Sequence, residues 1–440
     1  MFSKSILLAF CAVAIELSPD DFNHIQELSR TLTIPFRLKS PPIAISSKSI
    51  NSKYSMKSLN QSAQQGAGYT FIQAGETAST LTGDIYLGTP PVKMTVLFDT
   101  GSTTFWIMAD SCTTAACRKI PKRYNNKASS TFTPVNNILT KSIQYGDGST
   151  LMCSVRGTDI VQLGSLSVQN QSICETSDVK MNSKIGGIVG IGSPTYRRQI
   201  VSNFWGNMMA NKLLTRNIMA QWFNNDVLQD DLSEAAGEIQ FGALNPKKYT
   251  GEINYIPLNE NSNYWTLQMN AIKFGNQEIP VTYDTSVAID SGTTMVLFPS
   301  DIAKSLNQKM GARLEDGLYT ISCDRVTTIP PIEFYFTGSS KPLILQGSQL
   351  VYTAKQPGYA PLCVSIIQPN GDLPIAIIGA WFLRSFYTVF DYDNRAVGFA
   401  DSVGRSNPFV VRYVNTAEIT SRSSIVGAIL MIILNSILQL

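Results

Sequence analysis

Histidine is almost missing from this chain: His24 stands alone among 440 residues. It lies in an N-terminal stretch that we expect to be cut away. A Ser-His-Asp triad, a Cys-His pair and an HExxH zinc site therefore have no histidine to draw on in the mature protein. Charge is scarce too, with 15% charged residues, a net charge of +3 and no long run of Lys and Arg. A mixed solvated surface fits that pattern, and a nucleic-acid surface does not. The cysteines show no CxxC spacing and have no histidine nearby, so we expect neither a zinc site nor any other metal or cofactor. If such a chain hydrolyses anything without metal, carboxylates must supply the acid–base chemistry.

What is present is apolar and punctuated. The hydrophobic fraction is 44%, enough for a substantial core, and the length leaves room for two domains or one bilobed one. Residues 1–14 read as a secretory signal peptide: Lys4 precedes an apolar run from Ile6, and Ala12-Val13-Ala14 fits a small-x-small cleavage site. Cys11 leaves with that segment. The other cysteines, at 112, 117, 153, 174, 323 and 363, form an even set in an oxidising route. Closeness favours Cys112–Cys117. Cys153–Cys174 and Cys323–Cys363 are the pairings we expect for the rest, among fifteen formal arrangements.

Residues 15–68 are rich in Ser, Lys, Gln and Pro without strand or helix rhythm, as in a propeptide. From about Tyr69 onward, short β-rich runs broken by Gly, Asn and Pro continue to residue 400, which predicts a mainly β fold. Helices are expected at Ile200 to Leu214 and at Asp301 to Met310, the second capped by Ser300 or Asp301. Asn60 and Asn170 are glycosylation sequons. Beyond a polar spacer at 411–424, residues 425–440 are almost wholly apolar yet short for a membrane span, which needs about 20 residues. Three readings stay open: a glycosylphosphatidylinositol-attachment signal with Asn415 as the attachment site (Ser421 or Ser423 as rivals), a retained tail anchor, or a buried helix.

The motif around which the rest is organised is Val96-Leu97-Phe98-Asp99-Thr100-Gly101-Ser102. It recurs as Val287-Ala288-Ile289-Asp290-Ser291-Gly292-Thr293. One Asp-x-Gly is ordinary turn chemistry; two behind apolar runs are a repeat. The repeat extends further, since Gly186 to Gly192 follows Asp99 by roughly ninety residues and Ala376 to Trp381 follows Asp290 at a similar distance. Two similar lobes, 69–255 and 256–410, each giving one carboxylate to a shared cleft, is the simplest architecture. Two carboxylates held together share a proton, because one cannot ionise easily beside the other. That provides a base to activate water and an acid to protonate a carbonyl.

At these residues the chain resembles the pepsin-type aspartic endopeptidases over most of 69–402. Asp99-Thr100-Gly101-Ser102 and Asp290-Ser291-Gly292-Thr293 match the family's two signatures. The resemblance implies a bilobal, mainly β acid-protease fold with few short helices. It implies catalysis by Asp99 and Asp290, with support from Thr100, Gly101, Ser102, Ser291, Gly292 and Thr293 and a hydroxyl grip between lobes through Thr100 and Ser291. Tyr145-Gly146-Asp147 is similar to the family's flap over the substrate, with Trp106 as the indole behind Tyr145. Cys112–Cys117 and Cys323–Cys363 occupy the places of two family disulfides; Cys153 and Cys174 have no counterpart in the simplest members. About two extra residues around Leu151-Met152-Cys153 depart from the pattern. Ile34-Pro35-Phe36-Arg37 and Lys53-Tyr54 resemble prosegment elements, Lys53 being the ammonium that would plug the dyad in a zymogen.

Taken together, these residues lead us to expect a secreted monomeric zymogen that cleaves peptides or proteins between hydrophobic residues at acidic pH and is blocked by pepstatin-like inhibitors. We expect it to bind no nucleic acid. It would reside at the extracellular surface or in an acidic lysosome- or vacuole-like compartment, with attachment to a membrane through its tail. Asp147 would favour a basic side chain next to the scissile bond. A non-catalytic surface binding protein on the same fold is the alternative, and a glycosidase with paired carboxylates finds no support in the repeat.

Overall fold

In the computed structural model, the described residues are 82–404, less 136–141, 146–148, 182–184, 194, 197–198, 201–202, 226–236, 260–263, 282–284, 316, 356–359, 372–374, together with the strands 32–36 and 410–412. Strands dominate and helices are few and short. Two eight-stranded sheets, one drawn from residues 82–190 and one from 266–378, form barrel-like lobes in the bilobal arrangement of the pepsin-like fold. A six-stranded sheet joins them.

In the first lobe, β1 (Val92–Asp99) begins with alternating exposure and ends in four consecutive buried residues. Such a continuous apolar run is what a strand covered on both faces requires. It pairs in parallel with the strand Gly187–Gly190, placing Asp99 opposite Gly190. That same strand pairs antiparallel with Phe105–Met108, and Phe105–Met108 pairs in parallel with the strand Leu166–Lys180. The second lobe repeats each relation. Thr285–Ile289 lies parallel to Ala376–Ile378, Ala376–Ile378 antiparallel to Val296–Phe298, and Val296–Phe298 parallel to Ile367–Pro369. The repeat seen in the sequence is therefore a repeat of strand order and direction.

The joining sheet runs Leu32–Phe36, Gly237–Phe241, Ile218–Phe223, Phe386–Asp391, Ala396–Ser402 and Tyr249–Pro257. It takes strands from both halves, and the expected lobe boundary at 255/256 falls inside its last member. Above this sheet Trp205 stacks on Trp265 with ring centroids 5.3 Å apart, and Trp265 meets Phe390 edge-on at 5.2 Å. All three are buried in one core that spans the lobes, so burial of large apolar surface fixes how the lobes sit against each other.

Three disulfides link Cys112 to Cys117, Cys153 to Cys174 and Cys323 to Cys363. The second ties two long neighbouring strands, Thr150–Leu163 and Leu166–Lys180, whose register shifts on either side of Cys153. The helices need correction. The first is only Phe204–Ala210: Asn203 Oδ1 accepts from Gly206 N at 2.7 Å and starts it late, while Ile200 belongs to a short strand. Lys212, with φ of 52°, cannot continue it. The second is Ser300–Met310, preceded by Pro299 with no side-chain cap. Asp301 lies in its first turn, where a carboxylate favours the helix N-terminus, and Gly311 ends it with φ of 77°.

Candidate active site

Each aspartate sits at the C-terminal end of its buried strand, just where the sheet gives way to a turn. Asp99 and Asp290 are both fully buried. Gly101 N donates to Asp99 Oδ1 at 2.9 Å, and Ser102 Oγ donates to Asp99 Oδ2. The second loop repeats this: Gly292 N donates to Asp290 Oδ1 at 2.8 Å and Thr293 Oγ1 to Asp290 Oδ2 at 2.6 Å. Each turn thus holds its own carboxylate with one amide and one hydroxyl.

The carboxylates face one another, as the glycines show. A Cβ placed on Gly101 would lie within 3.0 Å of the carboxyl of Asp290, and one on Gly292 would lie within 3.0 Å of that of Asp99. Only glycine leaves room for the opposite acid. A second pair of glycines supports the loops from behind. A Cβ on Gly190 would strike the backbone of Thr103 and Thr104, and one on Gly379 the carbonyls of Thr293 and Met295. The downstream apolar-apolar-Gly strands recur because each must press its backbone against an aspartate loop, a reason the sequence alone did not supply.

Between the loops, Thr100 and Ser291 interlock. Thr100 Oγ1 donates to Ile289 O at 3.0 Å and accepts from Ser291 N at 2.8 Å. Ser291 Oγ donates to Phe98 O at 3.1 Å and accepts from Thr100 N at 3.2 Å. Four buried hydrogen bonds cross from one lobe to the other, and each hydroxyl serves as donor and acceptor at once. The carbonyls of Phe98 and Ile289, which sequence reasoning passed over, are their fixed ends.

Burial is the first cause that raises both acids. For Asp99 the charge of Asp290 comes next, and its carboxyl is held well above the usual carboxylate range. Asp290 is also raised, but Thr293, Asp99 and the amides of Gly292 and Thr293 pull it back down through hydrogen bonds. The bond between the two acids raises Asp99 and lowers Asp290. The two buried acids therefore hold a single proton between them.

Tyr145 and Trp106 are both buried, and Trp106 Nε1 donates to the Tyr145 hydroxyl at 2.6 Å. Tyr145 N donates to Ser149 O at 2.9 Å, closing a hairpin base. Gly146 and Asp147 at its tip lie outside the described residues, as do Lys53, Tyr54, Asn60 and Asn415. Asn170 is exposed, with φ of 53°. Among the described residues no helix is long and apolar enough to cross a membrane, and the apolar tail lies outside them.

Two lobes with mirrored aspartate loops define a protease of the acid, two-carboxylate class. The family model for eukaryotic aspartyl proteases matches residues 80–402. Cathepsin D of Gallus gallus is 32% identical over 333 residues, covering 73% of this chain and 80% of that protein. Embryonic pepsinogen of Gallus gallus is 31% identical over 326 residues, with shares of 73% and 80%. Chymosin of Ovis aries is 28% identical over 370 residues, with shares of 81% and 92%. The chain belongs to the eukaryotic aspartyl protease family. It is an aspartic endopeptidase, and its substrates are peptides or proteins.

Proposed function

We propose that Asp99 and Asp290 are the catalytic pair and that they cleave peptide bonds between hydrophobic residues at acidic pH. The observation that carries this reading is the reciprocal seating of each carboxyl against the other loop's glycine. In the reaction, ionised Asp290 takes a proton from a water held between the acids. The oxygen attacks the scissile carbonyl carbon while Asp99 gives its proton to the carbonyl oxygen. Collapse of the tetrahedral species returns that proton, passes the other to the departing amine and breaks the C–N bond, so no covalent enzyme intermediate is needed. Activity requires one proton on the pair. It falls on the acid side when Asp290 is protonated and on the alkaline side when Asp99 ionises.

Thr100 and Ser291 hold the loops in register, and Gly101, Gly292, Ser102 and Thr293 position the carboxyls. Tyr145, oriented by Trp106, contacts the bound peptide, with Gly146 and Asp147 completing the flap. The protein is made as a secreted zymogen, with a signal peptide at 1–14 and a propeptide at 15–68. Two observations support that part. The strand Leu32–Phe36 pairs with Gly237–Phe241 at the edge of the joining sheet, Ile34 opposite Ile239, with Pro35 in an edge position that tolerates proline. One relative is, by its name, a pepsinogen. Lys53 and Tyr54 then cover the dyad before activation, and Asn60 and Asn170 carry glycans. The apolar tail provides attachment at the extracellular surface or in an acidic compartment, through Asn415 or as a retained anchor.

One experiment addresses mechanism and activation together. The purified proform is acidified, the new N-terminus is sequenced, and cleavage of a hydrophobic peptide is followed with and without pepstatin. Acid-triggered shortening near residue 68 with pepstatin-sensitive cleavage is expected; insensitivity to pepstatin would overturn the dyad.

A further inference from the structure

The stem of the hairpin that carries Tyr145 stands on a small core of its own. Tyr145 and Leu151 are buried with Trp106, Cys153 and Cys174 in a cluster separate from the one that spans the lobes. Within the stem, Ser142 pairs with Met152, Ile143 with Leu151 and Gln144 with Thr150. The outgoing strand, Thr150–Leu163, lies along Leu166–Lys180, and their register shifts on both sides of Cys153. Met152 faces Asp178, Cys153 faces Thr176 and Val155 faces Glu175, so Ser177 and Ser154 are each left over. Ser154 Oγ donates to Glu175 O at 3.0 Å, and Thr176 Oγ1 donates to Asp178 O at 3.0 Å. Side-chain hydroxyls thus add hydrogen bonds where bulges interrupt the ladder.

A bond that only stapled these strands could stand anywhere along their fourteen and fifteen residues. Cys153–Cys174 stands beside the bulges and runs diagonally, since Cys174 faces Arg156. On its other side Cys174 pairs in parallel with Trp106, whose indole donates to the Tyr145 hydroxyl at 2.6 Å. Tyr145 N in turn donates to Ser149 O, one residue before the strand that carries Cys153. These links close a ring from Tyr145 through Trp106, Cys174 and Cys153 and back along the strand. A slip of one residue would turn buried Leu151 and Cys153 outward and exposed Met152 inward, carrying the stem off Trp106. A covalent bond at the bulges forbids that slip.

We propose that Cys153 and Cys174 are positioning residues for the cleavage reaction: their bond sets the register of the stem and so holds Tyr145 against Trp106. This rests on the reading of Tyr145 as a residue that contacts the bound peptide, and the test separates the two. Acid-activated wild type, Cys153→Ala/Cys174→Ala, Tyr145→Phe and the three substitutions combined are assayed on one hydrophobic peptide. Circular dichroism at the assay temperature checks that each is folded. Tyr145→Ala reports on the contact with peptide itself.

Removing the disulfide should lower kcat/KM by about tenfold, part of the roughly 10²-fold that an ångström of misplacement costs. Both limbs of the pH profile should stay in place. Tyr145→Phe removes the acceptor for the indole and should also cost about tenfold. The combined variant should lose little more than either, because both changes cut the same ring. A disulfide that merely stabilised the lobe would lower the unfolding midpoint and leave kcat/KM where it was. Losses that multiply in the combined variant, or an unchanged kcat/KM in Cys153→Ala/Cys174→Ala, overturn the proposal alone. If Tyr145→Ala cleaves like wild type, the peptide contact falls and the proposal with it. Should the alanine pair not fold, the wild type is reduced with a phosphine and the reduced pairs are mapped by alkylation. Activity should then fall in step with reduction of Cys153–Cys174 and return on reoxidation; full activity with that pair reduced overturns the proposal.

Discussion

In the first lobe the strand that delivers Asp99 is eight residues long, and the flanking pair Thr150–Leu163 and Leu166–Lys180 is longer still. In the second, the strand ahead of Asp290 has five residues, and its counterparts are three or four residues long. Yet the three strand pairings beneath the two acids are the same. The loops differ chiefly in what they donate. Each acid receives one amide and one hydroxyl, but the hydroxyl is that of a serine at Asp99 and of a threonine at Asp290. Matched scaffolds therefore bring two carboxyls together in one buried place, where burial raises both.

The most damaging way to break that pairing is to remove one acid. Asp99→Asn and Asp290→Asn should each lower kcat/KM by about 10⁴-fold or more, with the thermal unfolding midpoint unchanged. Comparable activity in either variant would mean that one lobe works alone.

Crowding the pair comes next. Gly101→Ala and Gly292→Ala place a methyl group where the opposite carboxyl lies, and displacement by even an ångström should cost about 10²-fold in kcat. Steady-state kinetics on a single peptide would show it, and equal losses in the two variants would confirm that the crowding is mutual.

The asymmetry itself is open to a finer probe. Thr293→Val removes a donor that lowers Asp290, so the acid limb of the pH–kcat/KM profile should move upward by about one pH unit. Ser102→Ala should leave that limb nearly in place and move the alkaline limb upward, because it raises Asp99 instead. The reverse pattern would assign the proton to Asp290.

The smallest effect concerns stability in the first lobe. Glu175 is buried there beside Phe105–Met108, and its carboxyl is raised to about 7, first by burial; Asp110 and Asp159 add to this, while a hydrogen bond from Asn126 lowers it. A folded-state value above the unfolded one means that the neutral acid is favoured by the fold. Its contribution is present at low pH and is lost as pH rises from about 4.5 to 7, by something on the order of 2 kcal/mol. Glu175→Gln should flatten that loss, measured by urea unfolding at pH 5 and pH 8. An unchanged slope would place the alkaline weakness elsewhere.

Much of this was legible from residues. An apolar run that ends on Asp, hydroxyl and Gly is unusual enough that two copies declared both loops, and the downstream Ile-Val-Gly and Ile-Ile-Gly strands were visible as their companions. The reason for those glycines was not, since it depends on backbone from Thr103 and Met295 that only the folded sheet brings near. Helix limits failed for local reasons: Asn203 competes as a cap inside an apolar stretch, and Pro299 takes the position that Ser300 seemed to own.

The joining sheet also sets an order on synthesis. Ile218–Phe223 needs Phe386–Asp391 beside it, so a nascent first lobe leaves the ribosome with one flank of its base unpaired. That flank waits for more than 160 further residues. Until then an open strand edge is available to other chains, and Gly237–Phe241, itself edged by Leu32–Phe36, is the strand already in place to shield the opposite side.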